Sequence, residues 1–240
     1  MADKRLYSNS FFGKLERKAL RSFYYRSGSV TSGVEIAAQE LYMRRIGLGH
    51  ARRIPTYTSR RELRILFRLA SWMPAGAGIL EIGSYTGASA CYLAAGASQV
   101  GGHLYCVDTW GNETMPEGER DTFEEFNRNL APVRASVTSR RMRSEMAASE
   151  SFQHPLHLIF IDGSHEYEEV AVDFRIAAGL LAERGIIAMH DCVLYPGVSR
   201  VIGEALASGK WVLGGLEGNL LWMHRARWER EKREAPTING

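Results

Sequence analysis

Ile79-Leu80-Glu81-Ile82-Gly83-Ser84-Tyr85-Thr86-Gly87 is the stretch on which the fold turns. An apolar run ends in an acidic residue and then in two glycines, and the residues that follow are helix formers. A buried parallel strand would carry Glu81 to its C-terminal end. Gly83 and Gly87 have no Cβ, so the backbone there can turn sharply and come close to a ligand. In open α/β sheets the crevice beyond the strand ends is where ligands sit. The spacing is Glu-x-Gly-x-x-x-Gly, not the Gly-x-Gly-x-x-Gly of dinucleotide folds, which points to a different nucleoside-containing ligand.

Outward from this turn, strand-like and helix-like runs alternate. Strands are expected at 78–82, 103–107, 133–138, 156–161 and 185–189, and helices at 88–95, 121–129, 145–151 and 168–182. Such alternation argues an α/β fold, a parallel sheet covered by helices on both faces. The end of the chain differs: 211–213 and 220–224 flank Gly214-Gly215-Leu216-Glu217-Gly218-Asn219 and read as an antiparallel hairpin. Upstream, Ser59 with Glu62 three positions later forms a capping box for a helix reaching about Trp72. Residues 10–25 and 34–46 have mixed helical periodicity, separated by breakers at 27–33. The organisation expected is a helical, basic N-terminal extension over 1–57, a main domain over 58–226 and a charged tail over 227–240.

With 240 residues, 45% of them hydrophobic, the chain can bury one large core. Cys91, Cys106 and Cys192 are odd in number and form no Cys-x-x-Cys pair, which argues against a disulfide framework or a thiolate zinc site. No apolar run approaches the roughly 18–20 residues of a membrane span, and the N-terminus does not read as a secretory signal. A cytoplasmic location is the expectation. The net charge of +3 hides an asymmetry, +9 over residues 1–61 against −6 over the remainder. A basic leader suits either an anionic partner or a solvated helical face; nothing in it is a specific nucleic-acid signal.

Further clusters fall where strand ends are expected. Asp108 follows Leu104-Tyr105-Cys106-Val107, about 21 residues after Gly87. A carboxylate there is placed to accept hydrogen bonds from both ribose hydroxyls of a nucleoside, or else to cap a helix. Arg143-Ser144-Glu145 follows the third run and would meet an adenine edge, or simply supply an N-cap serine. The fourth run ends in Asp162-Gly163-Ser164-His165 and the fifth in His190-Asp191-Cys192. Charges at the ends of buried strands cost free energy unless paired or used. Several at one sheet edge mark a site.

These residues together resemble class I S-adenosylmethionine-dependent methyltransferases. The resemblance is closest to the branch of small-molecule and sugar O-methyltransferases, with catechol-type and cephalosporin-hydroxylase-like relatives, and spans about residues 56–225. It implies a Rossmann-like seven-stranded sheet, mostly parallel, with a terminal antiparallel hairpin. It implies that Gly83, Ser84, Tyr85 and Gly87 line the methionine moiety, and that Asp108 binds the ribose. Glu81 would lie near the cofactor amine or structure its loop. Thr58 and Ser59 would reach the cofactor carboxylate, and Thr109 and Trp110 would lie beside the adenine, with Ser144 nearby. The catechol-type relatives hold a divalent metal such as magnesium with an aspartate after the fourth strand and an Asp-Asn pair after the fifth. Asp162 and Asp191 match two of those positions, but Cys192 stands in place of the asparagine. Their catalytic lysine is matched by His165.

Three readings of this set stay open. His165 is a general base, helped by a reference pKa of about 6.5, with Asp162 and Asp191 holding the substrate or orienting the histidine. Alternatively Asp162 and Asp191 bind a metal that acidifies the acceptor hydroxyl. Or the set is structural. The activity expected is methyl transfer to a hydroxyl of a small molecule or sugar. The alternatives are another enzyme on the same fold, cephalosporin-hydroxylase-like or a nicotinamide oxidoreductase, and a non-catalytic cofactor-binding module. Acceptor specificity would reside in residues 1–57 and in the loop at 111–120, which is either a lid or an ordinary surface loop. The helical leader is the place where a homo-oligomer would form.

Overall fold

The computed structural model describes residues 33–112 and 118–227. The expected helix at 10–25, the centre of the 111–120 loop and most of the charged tail lie outside them. Helix α1 (Gly33–Arg45) and a 3-10 turn (Ala51–Arg53) precede α2 (Arg60–Ser71). Then come β1 (Gly78–Ile82), α3 (Ala88–Ser98), β2 (His103–Asp108), α4 (Phe123–Leu130), β3 (Val137–Arg141), β4 (Leu156–Ile161), α5 (Tyr167–Leu180), β5 (Leu181–Met189), α6 (Pro196–Ala207), β6 (Trp211–Glu217) and β7 (Leu220–Arg225). The seven strands form one sheet in the order β3-β2-β1-β4-β5-β7-β6. β1 to β5 pair in parallel, and β7 runs antiparallel to both β5 and β6. The mostly parallel α/β sheet and the terminal hairpin are as the sequence implied.

Local chemistry explains most boundaries. The capping box at α2 is present, with the Ser59 hydroxyl accepting from the Glu62 N–H and the Glu62 carboxylate accepting from the Ser59 N–H. Leu63, Leu66, Phe67 and Ala70 form a buried stripe at helical spacing on α2. α3 is built from small residues and packs on α2 so closely that a Cβ at Gly96 would run into the Phe67 carbonyl. α1 is tied to α2 by the ion pairs Arg64–Glu40 and Arg68–Glu35.

Several boundaries differ from the sequence reading. The strand expected at 133–138 is a 3-10 turn to Ser136, and β3 begins only at Val137. Pro132 explains the shift, because its fixed φ and missing N–H start a tight turn and cannot join a ladder. Residues 144–149 form a 3-10 turn in place of an α-helix. α6 was not expected. It starts at Pro196, and Val198, Val201, Ile202 and Ala205 form its buried face. Gly214 and Gly215 lie inside β6 and not in the hairpin turn, since the Trp222 side chain occupies the space where a Cβ at either would stand.

The sheet positions the site. One face carries Leu80, Ile82, Val107, Ile159, Ile161, Ile187 and Met189 into a core with α5 and α6. The alternate residues Ile79, Leu104, Leu158 and Phe160 are equally buried on the other face. Ile82 is registered against Val107 and Ile161, and Ile161 against Met189. The residues that follow, Gly83, Asp108, Asp162 and His190, therefore share one edge. β1 has β2 on one side and β4 on the other, which is the point where strand order reverses and ligands bind.

Candidate active site

The turn after β1 is held from below and from the side. Gly83 has φ +84°, and a Cβ there would collide with the Asp162 carbonyl. Its glycine is thus demanded by the crossing of the β1 and β4 ends. Gly87 has φ +91° and caps α3 against Leu130 and Phe126. Asp108 closes the turn from the β2 side. One carboxylate oxygen accepts the N–H of Ser84 (2.6 Å) and of Tyr85 (2.8 Å), and the other that of Trp110 (2.6 Å). Tyr85 (φ 46°) and Trp110 (φ 52°) are left-handed non-glycine residues. Such backbone persists only where its surroundings impose it, and the Asp108 bonds supply that constraint.

Glu81 is fully buried beneath the same turn. The Ser84 hydroxyl donates to its Oε2 at 2.6 Å, and Oε1 has no hydrogen-bond partner. Burial pushes its carboxyl up to about 7, against the lowering effect of Ser84. Through Ser84, Glu81 is tied to the turn after β1. The Trp110 ring is also wholly buried, between Phe123 and Phe126 at 4.8 Å from each, and belongs to the core under the loop. Thr109 accepts from Arg141 through its carbonyl. Thr58 is buried beside the α2 N-terminus. Ser144 opens the 3-10 turn after β3 against the buried Asp173 of α5, whose carboxyl burial raises to about 6.

The ends of β4 and β5 bring four ionisable groups together. His165 Nε2 lies 2.7 Å from Asp191 Oδ2, and its side chain remains 32% exposed. Its ring stacks on Tyr195 with centroids 3.8 Å apart and planes 19° from parallel. His190 is buried with three carboxylates around it. Its Nδ1 lies 3.2 Å from Asp162 and 3.5 Å from Asp191, without a well-directed hydrogen bond to either, and its Nε2 lies 3.4 Å from Glu62. Burial opposes its charge, but the three acids outweigh burial and push the imidazole up to about 12. Glu62 is buried as well, yet His190, Asn219 and Ser59 hold its carboxyl down at about 2. Asp191 is held below the usual carboxylate range by His165 and His190, again against burial.

One ligand atom from each of Asp162, His165 and Asp191 falls within 4.8 Å of the others. The set fits a hard dication such as magnesium poorly. Both Asp191 oxygens already accept hydrogen bonds, Oδ2 from His165 and Oδ1 from the Asn219 amide at 2.5 Å. The buried His190 imidazolium places positive charge against Asp162 and Asp191. Cys192 turns its side chain into the apolar core, and a thiol is in any case a weak ligand for hard ions.

Two residues of this constellation are absent from the sequence reading. Glu62 was visible only as a helix cap, whereas it also anchors His190 and the β6–β7 turn. Asn219 carried no signal, because a Gly-Asn pair in a hairpin is ordinary turn chemistry.

Residues 80–192 match the family described as a methyltransferase domain. Solved structures of similar fold include the O-methyltransferase of Bacillus cereus in complex with SAH (17% identity, covering 86% of this chain and 97% of that one, TM-score 0.55). Another is an SAH-bound methyltransferase of Podospora anserina (14%, 92% and 99%, 0.55). A third is the O-methyltransferase of Streptomyces achromogenes involved in tomaymycin synthesis, in complex with SAM (16%, 88% and 97%, 0.54). No curated protein matches the sequence. Residues 80–192 are thus similar to a methyltransferase domain, and the fold of the chain is the Rossmann-like one of these methyltransferase structures. Among the described residues no helix is long and apolar enough to cross a membrane.

Proposed function

We propose that this enzyme transfers the methyl group of S-adenosylmethionine to a hydroxyl of a small molecule or sugar, with His165 as general base. The observation that carries the reading is the 2.7 Å contact between His165 and Asp191, at the sheet edge that also carries Gly83 and Asp108. The cofactor would lie over the β1 and β2 ends, with Ser84, Tyr85 and Gly87 on the methionine side. Asp108 would take the ribose hydroxyls with the lone pairs its backbone bonds leave unused, and Thr58, Thr109 and Ser144 would flank the ends of the molecule.

Asp191 accepts from His165 Nε2–H, which leaves Nδ1 as the nitrogen with a lone pair. An acceptor hydroxyl beside Nδ1 gives up its proton as its oxygen attacks the sulfonium methyl. The carbon–oxygen bond forms, the carbon–sulfur bond breaks, S-adenosylhomocysteine leaves and the proton rests on His165, stabilised by Asp191. In-line placement of the two substrates supplies most of the acceleration. Asp162 completes the polar floor and is itself held by His190.

Calorimetry with S-adenosylhomocysteine and a screen of hydroxylated acceptors with methyl-labelled cofactor test the reading. Micromolar binding, turnover that survives EDTA and its loss in His165→Ala with cofactor affinity intact are expected. Full turnover by His165→Ala would sink the assignment of the base, and activity abolished by EDTA would restore a metal to the site. Binding of S-adenosylhomocysteine with no turnover on any acceptor would favour a non-catalytic module.

A further inference from the structure

We propose that Asn219, on the turn between β6 and β7, is a positioning residue that fixes Asp191 and through it His165. The inference rests on the reading of His165 as the base. Asn219 spends every polar atom except its backbone N–H on the segment from Asp191 to Leu194. Its Nδ2 donates to Asp191 Oδ1 (2.5 Å), and its Oδ1 accepts the N–H of Val193 (2.8 Å) and of Leu194 (3.2 Å). Its carbonyl accepts the Cys192 N–H (3.1 Å), and its own N–H donates to Glu62 Oε1 (2.5 Å). One residue thereby fastens the whole stretch from Asp191 to Leu194.

Turn chemistry alone does not account for it. The positive φ of the hairpin falls on Gly218 (φ 58°), so the backbone does not require asparagine at 219. Gly218 itself is constrained by Glu62, whose Oε1 would lie 2.6 Å from a Cβ. Asp191 is left-handed (φ 57°), a conformation that local hydrogen bonds must hold. That backbone turns its carboxylate toward His165. With Cys192 pointing into the core, the amide that braces Asp191 arrives from 28 residues downstream.

Asn219→Asp removes the donor and sets a second carboxylate against Asp191, and Asn219→Ser removes the donor without the charge. The aspartate variant keeps an acceptor for Val193 and Leu194 but puts an oxygen where Nδ2 faced Asp191. Nitrogen chemical shifts of the full chain, with the histidines labelled, read the tautomer of His165. Wild type is expected to show the Nε2–H form alone, and Asn219→Asp a mixture. With the best acceptor from the hydroxyl screen, kcat is expected to fall about 10²-fold, with acceptor KM and S-adenosylhomocysteine affinity unchanged. Asn219→Ser, too short to reach Asp191, serves if the aspartate variant does not fold, with the same expected outcome. Retention of the wild-type tautomer and turnover in a folded variant overturns the proposal. So does a loss of melting temperature with the His165 tautomer intact, since that assigns Asn219 to loop capping. If wild type does not bind S-adenosylhomocysteine, the cofactor reading falls instead, and the tautomer measurement still decides whether Asn219 holds Asp191.

Discussion

Glu81→Gln is expected to stabilise this protein at pH 8 and to destabilise it slightly, by about 1 kcal/mol, at pH 4.5. Glu81 is fully buried, and burial raises its carboxyl from 4.5 to about 7. The folded state therefore holds a proton that the unfolded chain has already released between those values. The Glu81 contribution to wild-type stability therefore declines as pH rises from about 4.5 to about 7 and levels off above. At 1.36 kcal/mol per unit, the penalty above pH 7 is about 3 kcal/mol. Glutamine is neutral throughout, and its carbonyl can still accept from the Ser84 hydroxyl. Its amide N–H groups inherit the unpartnered place of Oε1, which takes back about 1 kcal/mol. The net gain at pH 8 is about 2 kcal/mol, or roughly 4–8 °C in melting temperature for a chain of this size. Melting curves of both proteins at half-unit steps from pH 4.5 to 9 measure it. A difference that stays flat across that range would refute the argument, because it would mean that Glu81 is ionised in the fold at every pH tested.

Other outcomes follow from the same geometry. His190→Ala strands Glu62, Asp162 and Asp191 together and should cost about 3–5 kcal/mol in a urea titration. Wild type should lose stability as pH falls from about 4.5 toward 2, because Glu62 is depressed to about 2 and its contribution disappears as it protonates; a Glu62→Gln variant should show a shallower acid limb. Gly83→Ala forces a side chain into the left-handed region, at about 1–2 kcal/mol, and drives it into the Asp162 carbonyl, so both the urea midpoint and S-adenosylhomocysteine affinity should drop. Asp108→Asn removes charge-assisted bonds to Ser84, Tyr85 and Trp110 and should weaken S-adenosylhomocysteine binding about 10–100-fold by calorimetry.

What could be read before folding was what depends on local pattern. β1 and β4 are short apolar runs bounded by breakers, and they appear over the expected residues. The Ser59–Glu62 capping box is a three-residue signal and is present. β3 was misplaced because its sequence, Val-Thr-Ser-Arg-Arg, belongs to a sheet edge with little burial, while apolar Val133 in the preceding turn imitated a strand. α6 has no signal at its start, because Pro196-Gly197 is breaker chemistry in sequence, although a proline at the first helical position starts a helix without strain. The strand-end acids and histidines could be listed from sequence, since each follows an apolar run. Their pairing could not. Glu62 meets His190 across 128 positions and Asn219 across 157, and no periodicity encodes contacts of that range.

The common register of β1, β2, β4 and β5 has an evolutionary side. Their interiors are locked into ladders in which a single inserted residue would turn every side chain beyond it to the opposite face. The positions just past those ladders are bound by no such rule. New chemistry can be tried there at positions such as His165, whose side chain stays partly exposed, while the hydrogen-bonded framework is inherited whole. An exchange at His165 is the kind of change such a scaffold absorbs without refolding.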